Sequence, residues 1–101
     1  MIPLEQYVTH RQDVVWRMVD NEAFIISSDG NKIHQLNRVG SMIWQLSCGT
    51  STVQQIINQV CQNFEVPAPD AEHDVCEFVE NMLSQGLVEL RDMPSAVGNQ
   101  K

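Results

Sequence analysis

The sequence predicts a small α+β domain, and three observations support that prediction. The chain has 101 residues, which is enough for one compact core. Short runs of β-branched and aromatic residues fill the segment 13–36. Beyond residue 36 the apolar residues recur every three or four positions, as they do on one face of a helix. We therefore expect a three-stranded antiparallel sheet followed by three helices, in the order β-β-β-α-α-α.

The strand-rich segment is predicted to be a meander. Its strands are residues 14–19, 23–27 and 32–36. In the first strand Val14, Trp16 and Met18 alternate onto one face. Asp20-Asn21-Glu22 joins the first pair of strands and Asp29-Gly30-Asn31 joins the second, with residue types that tolerate a positive φ. The third strand comes last in the meander, so one of its edges is expected to be open.

Two helices are predicted directly after the sheet. The first carries the apolar residues Val39, Met42, Ile43 and Leu46, with Asn37 as N-cap and Gly49 as the C-terminal stop. The second carries the apolar residues Val53, Ile56, Ile57, Val60, Cys61 and Phe64. Ser51 and Gln54 before it have the spacing of a capping box.

The third helix follows a break at Pro67-Ala68-Pro69. Its apolar face comprises Val75, Phe78, Val79, Met82 and Leu83, with Asp70 as N-cap and Gly86 at the end. Residues 87–90 are predicted to extend briefly. We thus expect an N-terminal segment over 1–12, the folded domain over 13–91 and a frayed tail over 92–101.

Composition narrows the classes of partner. The net charge of −7, from six basic and thirteen acidic residues, repels phosphate backbones and argues against nucleic acid. No run approaches the roughly 18 apolar residues of a membrane helix, and no basic segment followed by an apolar run marks a secretory signal. We therefore predict a soluble, cytoplasmic protein that does not bind membranes.

Nothing in the sequence indicates a catalytic or cofactor site. The three cysteines, Cys48, Cys61 and Cys76, include no C-x-x-C pair, so spacing predicts neither a zinc site nor a disulfide framework. Glycine-rich phosphate loops are absent from the sequence. The histidines lie far apart along the chain, where surface or capping roles are expected. We predict a non-enzymatic binding protein without metal or cofactor.

Two features could bind a partner. The first is the open edge of the third strand, which could accept an extended peptide. The second is the third helix, whose acidic residues are Asp70, Glu72, Asp74, Glu77 and Glu80. They either form a solvated face or dock a basic partner, and Asp74, Glu77 and Glu80 are the candidates for docking.

The chain resembles the PqqD family, named for coenzyme PQQ synthesis protein D. The resemblance rests on spaced positions rather than on any single dipeptide and covers roughly residues 12–91. The matching residues are Leu36-Asn37, Ile43-Trp44-x-Leu46, Gly49, Thr52-Val53-x-x-Ile56, Val75-x-x-Phe78-Val79-x-x-Leu83 and Gly86-Leu87-Val88.

The resemblance implies a winged helix-turn-helix-like domain that acts as a RiPP recognition element, a peptide chaperone for ribosomally made precursor peptides. In the family the leader of the precursor is added as a strand beside the third strand and the third helix. Carried onto this chain, the peptide-binding residues are Lys32, Ile33, His34, Gln35, Leu36, Val75, Phe78, Val79 and Met82. The partner enzyme implied is a radical SAM enzyme or another peptide-modifying enzyme.

The resemblance is to PqqD-like proteins more than to members of the PQQ biosynthesis pathway. Those members usually carry Pro-Glu in the third-strand region and an acidic residue before the glycine that ends the first helix. Here Ser28-Asp29-Gly30 and Cys48-Gly49 stand at these places.

Two other functions are compatible with the predicted elements. One is a DNA-binding winged helix, which the acidic third helix disfavours. The other is a structural subunit that dimerises through the open strand edge, so monomer and dimer both remain open.

Overall fold

The computed structural model describes residues 2–27 and 30–94 and has an α+β fold. The elements in these ranges are β1 (Tyr7–His10), β2 (Val15–Val19), β3 (Glu22–Ile26), β4 (Ile33–Gln35), α1 (Arg38–Leu46), β5 (Cys48–Thr52), α2 (Val53–Phe64), α3 (Ala68–Ser84) and β6 (Val88–Arg91). The predicted order β-β-β-α-α-α is therefore interrupted by strands before, between and after the predicted elements. Most of the predicted frayed tail, residues 95–101, lies outside the described residues.

The predicted meander is present as an antiparallel sheet in the order β2-β3-β4. Asp20 and Asn21 form the turn between β2 and β3 with φ values of 53° and 68°. Two consecutive residues with positive φ match the right-handed twist of a hairpin, which explains why an Asp-Asn pair occupies this turn. Gly30, with a φ of 73°, lies in the connection to β4.

A second antiparallel sheet, in the order β5-β1-β6, differs from the prediction. Its central strand β1 lies in the N-terminal segment 1–12, which was set apart from the domain. Val8 of β1 pairs with Leu90 and is fully buried. β1 is only four residues long and β5 consists mostly of Gly, Thr and Ser, so backbone hydrogen bonds hold them together and no apolar alternation reveals them.

The three predicted helices are present, and their starts differ in detail. The N-cap of α1 is Asn37 as predicted, and its side chain accepts a hydrogen bond from the Gly40 N–H at 2.8 Å. The capping box of α2 lies one residue later than predicted, because Thr52 and Gln55 form it. Both pairs have the same spacing, and only the pairing of β5 up to Thr52 separates them.

The start of α3 and the end of α1 also differ from the prediction. α3 begins at Ala68, because Pro69 is tolerated in the first turn of a helix. Pro67 is therefore the N-cap residue, and Asp70 lies inside the helix. Gly86 follows α3 with a φ of 74° as predicted. α1 ends at Leu46 with Ser47 as its C-cap, and Gly49 instead lies in β5.

The core lies between the two sheets and the helices. Trp44 of α1 is fully buried at its centre together with Ile25, Ile56 and Val75. His10 of β1 stacks on Trp44 with ring centroids 3.9 Å apart and donates a hydrogen bond from Nε2 to the Trp44 carbonyl at 2.6 Å. These contacts join the second sheet to α1, the helix that follows β4.

Candidate functional site

The open edge of β4 is the first part of the candidate site. In the described residues β4 pairs with β3 on one side, and no strand pairs with its other side. The Leu36 N–H donates to the Ala23 carbonyl, and the Ser27 N–H donates to the Lys32 carbonyl. Because alternate residues of an antiparallel strand bond to the same neighbour, the backbone groups of Ile33 and Gln35 point away from β3. These two residues therefore present the edge to which a further strand can bind.

The side chains of β4 lie on two faces of the sheet. Ile33 is 71% exposed and Gln35 is also exposed, whereas His34 between them is half-buried and pairs with Ile25. Lys32 before the strand is exposed, and Leu36 after it packs against the core. Ile33 and Gln35 thus combine accessible side chains with outward-pointing backbone groups.

A groove between α1 and α3 is the second part of the site. It has a volume of about 320 Å³. Its walls are formed by Asn37, Val39, Gly40 and Ile43 of the α1 side and by Asp74, Glu77, Phe78 and Asn81 of α3. Because the chain passes directly from β4 through Leu36 into Asn37, the end of β4 lies next to the groove.

Phe78 is the apolar residue of α3 that is accessible in this groove. Its ring is half-buried. Val75 and Val79 are buried at 0% and 1% exposure, and Met82 is buried as well. Of the four α3 residues predicted to line or support the groove, three therefore lie in the core behind it and one forms its surface.

Gly40 explains how α1 and α3 approach each other here. A Cβ atom on Gly40 would lie 3.2 Å from Cε2 of Phe78, 3.2 Å from Oδ1 of Asn37 and 3.6 Å from Cβ of Leu36. The absence of a side chain leaves space for the Phe78 ring beside the N-terminus of α1. Phe78 of α3 therefore lies close to the start of α1, the helix that follows β4.

Four acidic residues of α3 line two concavities that share Glu77. Asp74 and Glu77 line the groove beside Phe78. Glu80 lines a neighbouring concavity of about 510 Å³ with Glu72 and Cys76. Burial, Glu72 and Glu80 raise the pKa of the Cys76 thiol, which disfavours the reactive thiolate.

The described residues have no arrangement that would hold a metal ion. Within residues 2–27 and 30–94, no three His, Cys, Asp or Glu side chains lie close enough together for that purpose. Over the same ranges, no helix has the length and apolar character needed to span a membrane.

The α1 side of the groove was not predicted from sequence. Asn37 was identified as a helix cap, and Val39 as an apolar helix residue, without a role in the site. The available signal was Gly40, because a glycine inside an amphipathic helix reduces helix stability unless a close approach requires it. Asn81 of α3 carried no comparable signal.

The sequence matches the family described as coenzyme PQQ synthesis protein D (PqqD) over residues 22–88. This match covers more than half of the chain, and the chain belongs to the PqqD family. The resemblance found in the sequence is thereby confirmed. No curated protein matches the sequence.

Two solved structures have the same fold. One is described as TbiB1 in complex with the TbiA(beta) leader peptide and has a TM-score of 0.74 and 22% identity, over 92% of this chain and 99% of that one. The other is described as lasso peptide synthetase B1 complexed with the leader peptide and has a TM-score of 0.72 and 18% identity, over 81% of this chain and 96% of that one. This chain covers nearly the full length of both structures.

Proposed function

We propose that this chain is a leader-peptide-binding adaptor. It holds the leader of a ribosomally made precursor peptide and presents the precursor to a separate modifying enzyme. The observation that carries the proposal is the open β4 edge beside the α1–α3 groove, in a chain of the PqqD family. Support also comes from two proteins of the same fold that are described as bound to leader peptides.

The leader binds as a fourth strand of the β2-β3-β4 sheet. The N–H and carbonyl groups of Ile33 and Gln35 supply the main-chain hydrogen bonds, because they point away from β3. Side chains on the helix side of the leader enter the groove and contact Phe78, while Val75, Val79 and Met82 hold α3 in place from behind. Lys32, His34 and Leu36 fix the position of the edge.

The adaptor acts by tethering and not by chemistry. Holding the leader makes the encounter of enzyme and precursor nearly intramolecular, with an effective concentration up to about millimolar. The partner is a peptide-modifying enzyme, for which a radical SAM enzyme is the candidate that the family suggests. The acidic surface of α3 at Asp74, Glu77 and Glu80 is the proposed docking face for it in the cytoplasm.

A winged helix-turn-helix-like architecture is part of this proposal, with α2 and α3 as the helix pair. DNA binding is the second candidate function because of that architecture. The recognition helix would be α3, which has five acidic residues and no Lys or Arg between Ala68 and Ser84. Its charge opposes phosphate, so peptide binding is the better-supported function.

Titration with the precursor peptide encoded beside the gene tests the proposal. We expect the amide signals of Ile33, Gln35 and Phe78 in the labelled protein to shift on addition of the leader. Ile33→Pro removes an edge N–H and should weaken binding about 2- to 13-fold, since one net hydrogen bond contributes roughly 0.5–1.5 kcal/mol. Ile33→Ala is the matched control, because it keeps that N–H while shortening the side chain.

Two results would contradict the proposed leader-binding function. If saturating leader leaves the signals of β4 and α3 unchanged, the site is elsewhere or absent. Tight binding to duplex DNA at low salt, in place of peptide binding, would favour the second function.

A further inference from the structure

The outer face of the β2-β3-β4 sheet carries an exposed apolar row. Val15 of β2 is paired with Ile26 of β3, and Ile26 is paired with Ile33 of β4. Their exposures are 64%, 38% and 71%. Together with Trp16, Arg17 and Phe24, these residues line a mostly apolar groove of about 370 Å³. A contiguous exposed apolar patch of this kind marks an interaction site in a small protein.

Ile33 connects this row to the open edge. Its side chain is the end of the row, and its N–H and carbonyl point toward the position of an added strand. In a sheet, directly paired residues have their side chains on the same face, with Cβ atoms about 4.5–5.5 Å apart. The residue of an added strand that pairs with Ile33 therefore extends the row.

The neighbouring outward position differs in chemistry. Gln35, two residues further along β4, donates a hydrogen bond from Nε2 to Oε1 of Glu22 at 2.9 Å. Its direct partner in β3 is Phe24, which is flanked on β2 by Arg17. A leader residue opposite Gln35 thus meets a polar amide, whereas one opposite Ile33 meets aliphatic side chains.

We propose that the leader recognised by this chain carries a large apolar residue at the single position that pairs with Ile33, so that Val15, Ile26 and Ile33 form a specificity row on the outer face. This inference rests on the proposed function and adds to it the chemistry of one leader residue. The contact is separate from the α1–α3 groove, because it lies on the opposite face of the sheet.

A specificity exchange tests the inference without knowledge of the natural leader. The probe is a phage-displayed library of random linear twelve-residue peptides, selected in parallel on the unaltered protein, on Ile33→Glu and on Val19→Glu. Val19 is the matched control, because it is a 45% exposed residue of the same face that pairs with Glu22 away from the β4 edge. Both substitutions replace exposed side chains, and thermal unfolding confirms that the variants are folded.

We expect peptides selected on the unaltered protein to share one apolar position. On Ile33→Glu that position should change to Lys or Arg, with a preference of about two- to fivefold per peptide from a cross-strand charge pair. On Val19→Glu the apolar position should be retained.

Two other results overturn the proposals separately. If Ile33→Pro weakens binding of the selected peptides but selection on Ile33→Glu yields the same apolar position, the specificity row is refuted and edge binding stands. If Ile33→Pro does not affect their binding, the peptides bind elsewhere, and both edge binding and the row are refuted.

Discussion

Adjacent residues of α3 separate the role of the groove surface from that of the core behind it. Phe78 lines the groove and Val79 is 1% exposed in the core. Val79→Ala removes two methyl groups, at about 0.8 kcal/mol each for burial, and the cavity left behind brings the cost to roughly 2 kcal/mol. For a domain of this size that cost lowers Tm by roughly 8–16 °C.

The two substitutions should affect stability and binding differently. Val79→Ala should leave the leader affinity of the folded protein within about twofold of the original, because Val79 does not contact the leader. Phe78→Ala should weaken binding about tenfold, since an aromatic contact surface worth roughly 1.4 kcal/mol is lost. Circular dichroism gives Tm, and fluorescence anisotropy with a labelled leader gives Kd at a temperature where both variants are folded.

Either of two outcomes would refute this reasoning. The groove is misassigned if folded Val79→Ala loses as much affinity as Phe78→Ala. The core is misassigned if Val79→Ala unfolds at the same temperature as the original protein.

Three further predictions concern α1, α2 and β1. Gly40→Ala should weaken leader binding, because the new Cβ would lie 3.2 Å from the Phe78 ring. The free energy of unfolding should change by less than about 1 kcal/mol, because the better helix propensity of Ala offsets that contact. Titration measures the first effect and urea unfolding the second. Thr52→Ala should cost about 1 kcal/mol in urea unfolding through loss of the capping box, whereas Ser51→Ala should not. Burial lowers the pKa of His10 below its usual 6.5, although its hydrogen bond to the Trp44 carbonyl acts in the opposite direction. The free energy of unfolding should therefore be highest above pH 6.5 and fall as the pH drops toward the folded-state pKa. His10→Gln should reduce that fall between about pH 7.5 and 5.5, measured by urea unfolding.

The sequence predicted the elements whose apolar pattern is strong. β2, β3 and the three helices bury one regular face, so alternation or helical periodicity reveals them. β1 and β5 do not have this property, because Thr9, Gly49 and Thr50 contribute backbone pairing and little apolar surface. The sequence predicts His10 at the surface or in a cap, because its stacking on Trp44 depends on β1, a strand that no apolar pattern indicates.

The candidate site was predicted in part. The open edge follows from the order of a meander, so Ile33 and Gln35 could be proposed without a structure. Exposure along α3 could not, since Val75, Phe78 and Val79 belong to the same apolar stripe. Tertiary packing divides them: Val75 and Val79 are buried in the core, whereas Phe78 lies beside Gly40, a residue remote in sequence.

The central position of β1 has a consequence for how the protein is made. Tyr7 pairs with Arg91, and Gln6 donates a hydrogen bond to Asp92. During synthesis, β1 can therefore pair with β6 only after almost the whole described chain has left the ribosome. Pairing between segments so distant in sequence slows folding. The two ends of the folded body also emerge side by side.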